Sequence, residues 1–115
     1  MRRILLLHVA GPGEPPFPDL AAAARAARNA LAELDGADVE IVVQGPSVGA
    51  LVAGGPAGDE LRTLLEDGVA VAACANSLRS AGLAGKPLVK GVRVVPAAVA
   101  RLAEAQFDGA AYVRV

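Results

Sequence analysis

The sequence predicts an α/β domain, a flavodoxin-like three-layer α/β/α sandwich around a five-stranded, mainly parallel sheet. Three observations carry this expectation. Five short apolar or β-branched runs alternate with helical stripes, the order in which crossover helices join parallel strands. The first and third runs, Ile4-Leu5-Leu6-Leu7 and Val69-Ala70-Val71-Ala72-Ala73, lack polar alternation, as strands covered on both faces do. Short connections rich in Gly and Pro separate the runs.

The first strand is expected over residues 3–10 and is stopped by the loop Gly11-Pro12-Gly13-Glu14-Pro15-Pro16-Phe17-Pro18. From 19 to 35, Leu20, Ala24, Ala27, Leu31 and Leu34 recur at spacings of three and four and make one helical stripe, with Arg25, Arg28, Asn29 and Glu33 off it. Pro18 and Asp19 suit its first turn and Gly36 its stop. A β-branched strand over 39–43 ends at Gln44-Gly45-Pro46, and Ser47 is placed to cap a helical turn reaching Val52. Gly54-Gly55-Pro56 punctuates before a short helix over 59–67, with Leu61, Leu64 and Leu65 on one side and Gly68 closing it. A third strand, 69–75, leads into a brief helix begun by Asn76 and Ser77. A fourth strand, 91–95, precedes Pro96, which suits the first residue of a helix with Val99, Leu102, Ala103 and Phe107 inward. Gly109 ends that helix, and 110–115 makes the fifth strand.

The 115 residues, 1–115, are expected to form one domain, since no linker, repeat or low-complexity segment divides them. A hydrophobic fraction of 54% excludes disorder. Eleven basic and twelve acidic side chains leave a formal charge of -1 with no block of one sign, so neither nucleic acid nor an anionic membrane is an expected partner. Aromatic residues at 3% and the absence of Trp remove the stacking platform of single-strand binders. One Cys cannot close an intramolecular disulfide, which points to the cytoplasm. The start Met1-Arg2-Arg3 imitates a signal peptide, but the apolar run after it meets His8 within one strand length. The uncharged stretch 41–58 is broken by Pro46 and Pro56, so no transmembrane segment is expected. Thin Ala-rich helices and the uncharged 48–52 segment imply apolar surface left over in a monomer, hence a homo-oligomer.

Ligands of open parallel sheets lie beyond the carboxyl ends of the strands, which here means His8, Gln44, residues 74–77, Pro96 and Arg114. Gly11 and Gly13 start a dinucleotide fingerprint, but Pro16 stands where its third glycine belongs and Gln44 where a ribose-binding acid belongs. No phosphate-binding Gly-Lys-Ser or Gly-Lys-Thr occurs, and stacking aromatics for a flavin are scarce. One His and one Cys cannot supply a zinc site. A phosphorelay receiver needs acids where this chain has His8 and Cys74. Neither metal nor cofactor is expected.

Cys74 is the residue whose chemistry and position agree: it ends a buried strand and precedes the helix start at Asn76-Ser77. Backbone N–H groups at a helix start favour a thiolate, the form that attacks sulfur and carries it as a persulfide. Arg79 adds to this if it folds back. His8, at the end of a strand expected beside the third, is placed to take the thiol proton as a catalytic partner. Asn76, Ser77 and Arg79 are the expected ligand-binding residues. The span Cys74-Ala75-Asn76-Ser77-Leu78-Arg79 is one residue short of the Cys-to-Arg loop of tyrosine phosphatases and lacks the glycines of anion cradles. The competing reading is a small-ligand-binding or oligomer-forming module in which Cys74 only fills a core slot, as unreactive Cys commonly does.

Cys74-Ala75-Asn76-Ser77-Leu78-Arg79, then Gly91-Val92-Arg93-Val94-Val95-Pro96 and the ending Gln106-Phe107-Asp108-Gly109-Ala110-Ala111-Tyr112-Val113, resemble the DsrE/DsrF-like family of small sulfur-relay and related proteins. The resemblance runs through the early strand with His8, Arg28-Asn29, the Gln44-Gly45-Pro46 turn and the Cys after the third strand, and is closest to the small single-domain branch. It implies a flavodoxin-like domain assembled into trimers or hexamers. It further implies a Cys, matched here by Cys74, that accepts sulfane sulfur from a donor protein and passes it to an acceptor protein.

Overall fold

The computed structural model describes residues 3–12 and 19–115; the stretch 13–18, with Glu14 and most of the prolines of the first loop, lies outside the described residues. Five strands, β1 (Arg3–Val9), β2 (Ala37–Val43), β3 (Ala70–Cys74), β4 (Arg93–Val95) and β5 (Ala111–Arg114), pair in parallel in the order β4-β3-β2-β1-β5. Between them run α1 (Leu20–Glu33), a 3₁₀ segment (Gly45–Leu51), α2 (Gly58–Glu66), α3 (Ala75–Ser80) and α4 (Ala98–Phe107).

This order explains which face each helix covers. From β1 to β4 the chain steps across the sheet in one direction, so right-handed crossovers deliver the intervening helices to one face. Ala23, Ala24 and Ala27 of α1, Leu61 and Leu64 of α2 and Leu78 of α3 pack there against Leu7, Val9, Ile41, Val43 and Val71. The return from β4 to β5 runs the other way, and α4 accordingly lies on the opposite face, where Ala98, Leu102 and Ala105 cover Leu6, Val42 and Cys74. Buried Leu and Val side chains such as Leu6, Ile41, Leu61 and Leu64 each contribute about 1.5–3 kcal/mol of burial. At the start of α1, Asp19 is the cap: its Oδ1 accepts from the Ala22 N–H at 3.1 Å.

Several sequence expectations need correction. The first strand was expected next to the third, but β2 separates β1 from β3. Ser47 does not cap; its hydroxyl donates to the Gly11 carbonyl at 2.7 Å, and Val48 and Leu51 are fully buried instead of forming surplus surface. Helix α4 starts after Pro96, at Ala98 with Ala97 as its cap position, and its inward stripe is Ala98, Leu102 and Ala105, so of the expected inward residues only Leu102 is buried. Val99 and Phe107 are consequently 73% and 85% exposed. In α1 the stripe is buried only through Ala27, and Leu31 and Leu34 reach solvent beyond the core.

One buried charge went unread in the sequence. Glu40 shares the α4 face with Val42 by strand alternation, and its side chain is 6% exposed. Arg101 binds it with two bonds, Nε to Oε2 at 2.8 Å and Nη2 to Oε1 at 2.7 Å, and Arg93 adds one at 3.2 Å. The Glu40 bond holds the Arg101 guanidinium above its ordinary pKa despite partial burial.

Candidate functional site: a thiol at the point where the crossovers change face

In an open α/β sheet the ligand crevice opens where outgoing connections of neighbouring strands turn to opposite faces. Here the connection leaving β3 goes to one face as α3, and the one leaving the adjacent β4 goes to the other as α4. Cys74 ends β3 at that point, opposite Val95 of β4. The two helices diverge around it with their N-termini close to the sulfur.

Cys74 is also the residue preceding α3, its cap position, and its own side chain makes no capping bond. The thiol is 4% exposed. Burial pushes its pKa up, but the nearby Ser77 hydroxyl and the backbone N–H groups of Ser77, Ala98 and Asn76 favour the thiolate by more, so the net direction is downward. Two of those N–H groups belong to the first turn of α3 and one to the start of α4, donors that no intrahelical carbonyl satisfies. Ser77 Oγ accepts from the Gly45 N–H at 2.8 Å, and its own proton is left for another acceptor. Gly45 has φ +70, and a Cβ there would stand 3.1 Å from the Ala10 carbonyl oxygen, so the tight turn after β2 calls for glycine.

Beside Ser77 lies a cleft of about 380 Å³ lined by Gly45, Pro46, Asn76, Ser77, Ser80 and Ala81. Of the expected site residues, Asn76 and Ser77 line this cleft, while Cys74 is buried beside it and is not part of its lining. Arg79 is exposed and turns back only as far as Asn76, whose Oδ1 it binds; it is not among the groups that stabilise the thiolate.

His8 is elsewhere. With β2 between β1 and β3, it does not stand beside the strand of Cys74, and both its ring nitrogens are engaged: Nδ1 with the Tyr112 hydroxyl and Nε2 with Gln44 Oε1, each at 2.6 Å. Direct proton transfer from Cys74 to His8, expected from the usual flavodoxin-like strand order, does not fit this arrangement. Sequence reasoning also missed the Ala98 N–H, which is supplied by a helix start displaced two residues from Pro96, and Tyr112, which lies on an edge strand.

A model of the DsrE/DsrF-like family matches residues 12–115. The chain belongs to this family. A solved structure of a protein of unknown function from Methanobacterium thermoautotrophicum superposes on this DsrE/DsrF-like chain with a TM-score of 0.86 at 28% identity, covering 100% of both chains. The ychN protein from E. coli gives a TM-score of 0.80 at 19% identity, again over 100% of both. A conserved protein of unknown function from Bacteroides thetaiotaomicron gives 0.69 at 17%, covering 98% of this chain and 94% of the other. The latter two share the fold. No curated protein matches this chain. Among the described residues no helix is long and apolar enough to cross a membrane.

Proposed function

We propose that this DsrE/DsrF-like protein is a sulfur-relay carrier in which Cys74 accepts sulfane sulfur and passes it on. The observation that carries the reading is the place of Cys74, at the end of β3 where the starts of α3 and α4 meet on opposite faces. Its sulfur has apolar neighbours on the α4 side, but the Ser77 hydroxyl and the N–H groups of those helix starts favour its thiolate, which a purely packed cysteine does not require. Family membership is consistent with the same chemistry.

In the forward step the Cys74 thiolate attacks the outer sulfur of a donor persulfide, R–S–SH. The new Cys74 S–S bond forms, the donor's S–S bond breaks, and R–S⁻ leaves with the electron pair while the proton stays on the transferred sulfur. An acceptor thiolate then attacks the outer sulfur of Cys74–S–SH and regenerates the Cys74 thiolate. No net oxidation occurs, so neither step needs a cofactor. The donors that hold the thiolate also make it a better leaving group in the second step. Asn76 and Ser77 face the neighbouring cleft, through which a donor or acceptor cysteine reaches the crevice, and six-residue α3, with one fully buried side chain, is the element there with least packing to resist opening.

Exposed apolar residues favour a homo-oligomer, a trimer or hexamer, in place of a free monomer. Val99 and Phe107 lie on the outer side of α4, and Val94, Tyr112 and Val113 on the two edge strands.

The test is a two-step transfer: protein loaded with a small persulfide donor, desalted, and offered a second thiol. The reading expects one sulfur per chain to appear on the second thiol, and none from Cys74→Ser. Loading without transfer, or transfer by Cys74→Ser, refutes it.

A further inference from the structure

We infer that His8 is a positioning residue for Cys74, acting through Gln44, the Gly45 N–H and Ser77. The inference rests on the reading of Cys74 as the reactive thiol. The links are contiguous. Tyr112 and Gln44 hold the two ring nitrogens of His8 at 2.6 Å each. Gln44 is thereby fixed at both ends, because its backbone N–H donates to the Val9 carbonyl at 2.9 Å while its side chain is held by His8. The next N–H along the chain, that of Gly45, donates to Ser77 Oγ at 2.8 Å. Ser77, held by that bond, stands three residues after Cys74 in the first turn of α3, with its proton free to stabilise the thiolate.

The bonds of the network have a definite sense. Gln44 Oε1 is an acceptor, so Nε2 of His8 donates to it, and the Tyr112 hydroxyl holds Nδ1. The other side of the same turn is secured by the Ser47 hydroxyl on the Gly11 carbonyl at 2.7 Å, so the orientation of the Gly45 peptide is set by the carboxyl ends of β1 and β2 together. His8 is 8% exposed on the sheet face that also carries Leu6, Val42, Glu40 and Cys74. A buried polar network adds little net stability over apolar side chains in such a place, but it does fix one conformation of Gln44.

The experiment titrates the Cys74 thiolate by its ultraviolet absorbance, which requires no access to the buried sulfur. Each variant is blanked against the same variant carrying Cys74→Ser, which removes the ionisation of Tyr112. His8→Leu and Gln44→Leu are expected to move the titration to higher pH, Ser77→Ala to move it further, and His8→Leu combined with Ser77→Ala to move it no further than Ser77→Ala alone. His8→Gln, which keeps a donor for Gln44 Oε1, is expected to restore most of the shift. Folded His8→Leu and Gln44→Leu proteins that titrate as wild type overturn the inference, as does an additive double variant. If His8→Leu does not fold, the half-buried Gln44→Leu decides the question in its place. Persulfide loading is measured separately. An unchanged titration with normal loading removes the role of His8 alone, and a shifted titration without loading removes the sulfur-relay reading while the positioning role stands.

Discussion

Gly45→Ala separates the contributions that hold the turn beneath the thiol. Gly45 has φ +70, a conformation that costs an L-residue about 1–2 kcal/mol. The added Cβ would meet the Ala10 carbonyl oxygen at 3.1 Å, so the turn must shift by a few tenths of an ångström. That shift moves the Gly45 N–H away from Ser77 Oγ and weakens a bond with a net contribution of about 1 kcal/mol. The sum is about 2–3 kcal/mol. At about 2.1 cal/mol/K of unfolding entropy per residue, 115 residues lose about 4 °C of melting temperature per kcal/mol, or about 8–12 °C here. Gly36→Ala is the control, because φ is +69 but nothing lies within 4 Å of its Cβ. It carries the backbone cost alone. Thermal and urea unfolding of both variants give the difference, and the thiolate titration shows whether the extra loss reaches Cys74. Equal destabilisation by the two substitutions, or an unmoved thiol in Gly45→Ala, refutes the coupling of this turn to the sulfur.

Three further outcomes are expected. Glu40→Ala leaves Arg101 partly buried without its carboxylate, and urea unfolding is expected to show a loss of about 3 kcal/mol, the lower end of the range for broken buried pairs because Arg93 is 57% exposed. The folded Cys74 thiol lies below its unfolded value near 8.5, so its stabilisation is full above that pH and fades as pH falls through the folded pKa; stability of wild type relative to Cys74→Ser therefore rises as pH approaches about 8.5 and then levels off. Val99→Ser combined with Phe107→Ser changes residues that are 73% and 85% exposed, so it is expected to alter chain stability by no more than about 0.5 kcal/mol per site while light scattering shows a smaller assembly.

The elements were legible in the sequence because their signals are local. Continuous apolar or β-branched runs and period-three-to-four stripes, with glycines such as Gly36, Gly68 and Gly109 at positive φ behind the helices, mark strands and helices without tertiary information. Cys74 was legible for the same reason: an apolar run ending in Cys before a helix start is a local pattern. Strand order is not local. Nothing in Arg3–Val9 or Ala70–Cys74 states whether a third strand lies between them, so the partnership of His8 with Cys74 had to be replaced by one with Gln44 and Tyr112. Glu40 escaped notice because one acid in a β-branched run reads as a solvent-facing residue until Arg101, 61 positions later, arrives on α4. The inward side of α4 was misassigned because its apolar residues make two overlapping stripes that share Leu102, one through Val99, Ala103 and Phe107 and one through Ala98 and Ala105, and spacing alone does not choose between them.

The central claim is that the Cys74 thiolate accepts sulfane sulfur in the folded protein. Intact-protein mass spectrometry after incubation with polysulfide, on wild type and Cys74→Ser, tests it most directly. The account expects a gain of one sulfur atom on wild type alone, removed by dithiothreitol. A folded wild type that stays at its native mass, or a Cys74→Ser protein that gains the same sulfur, contradicts it.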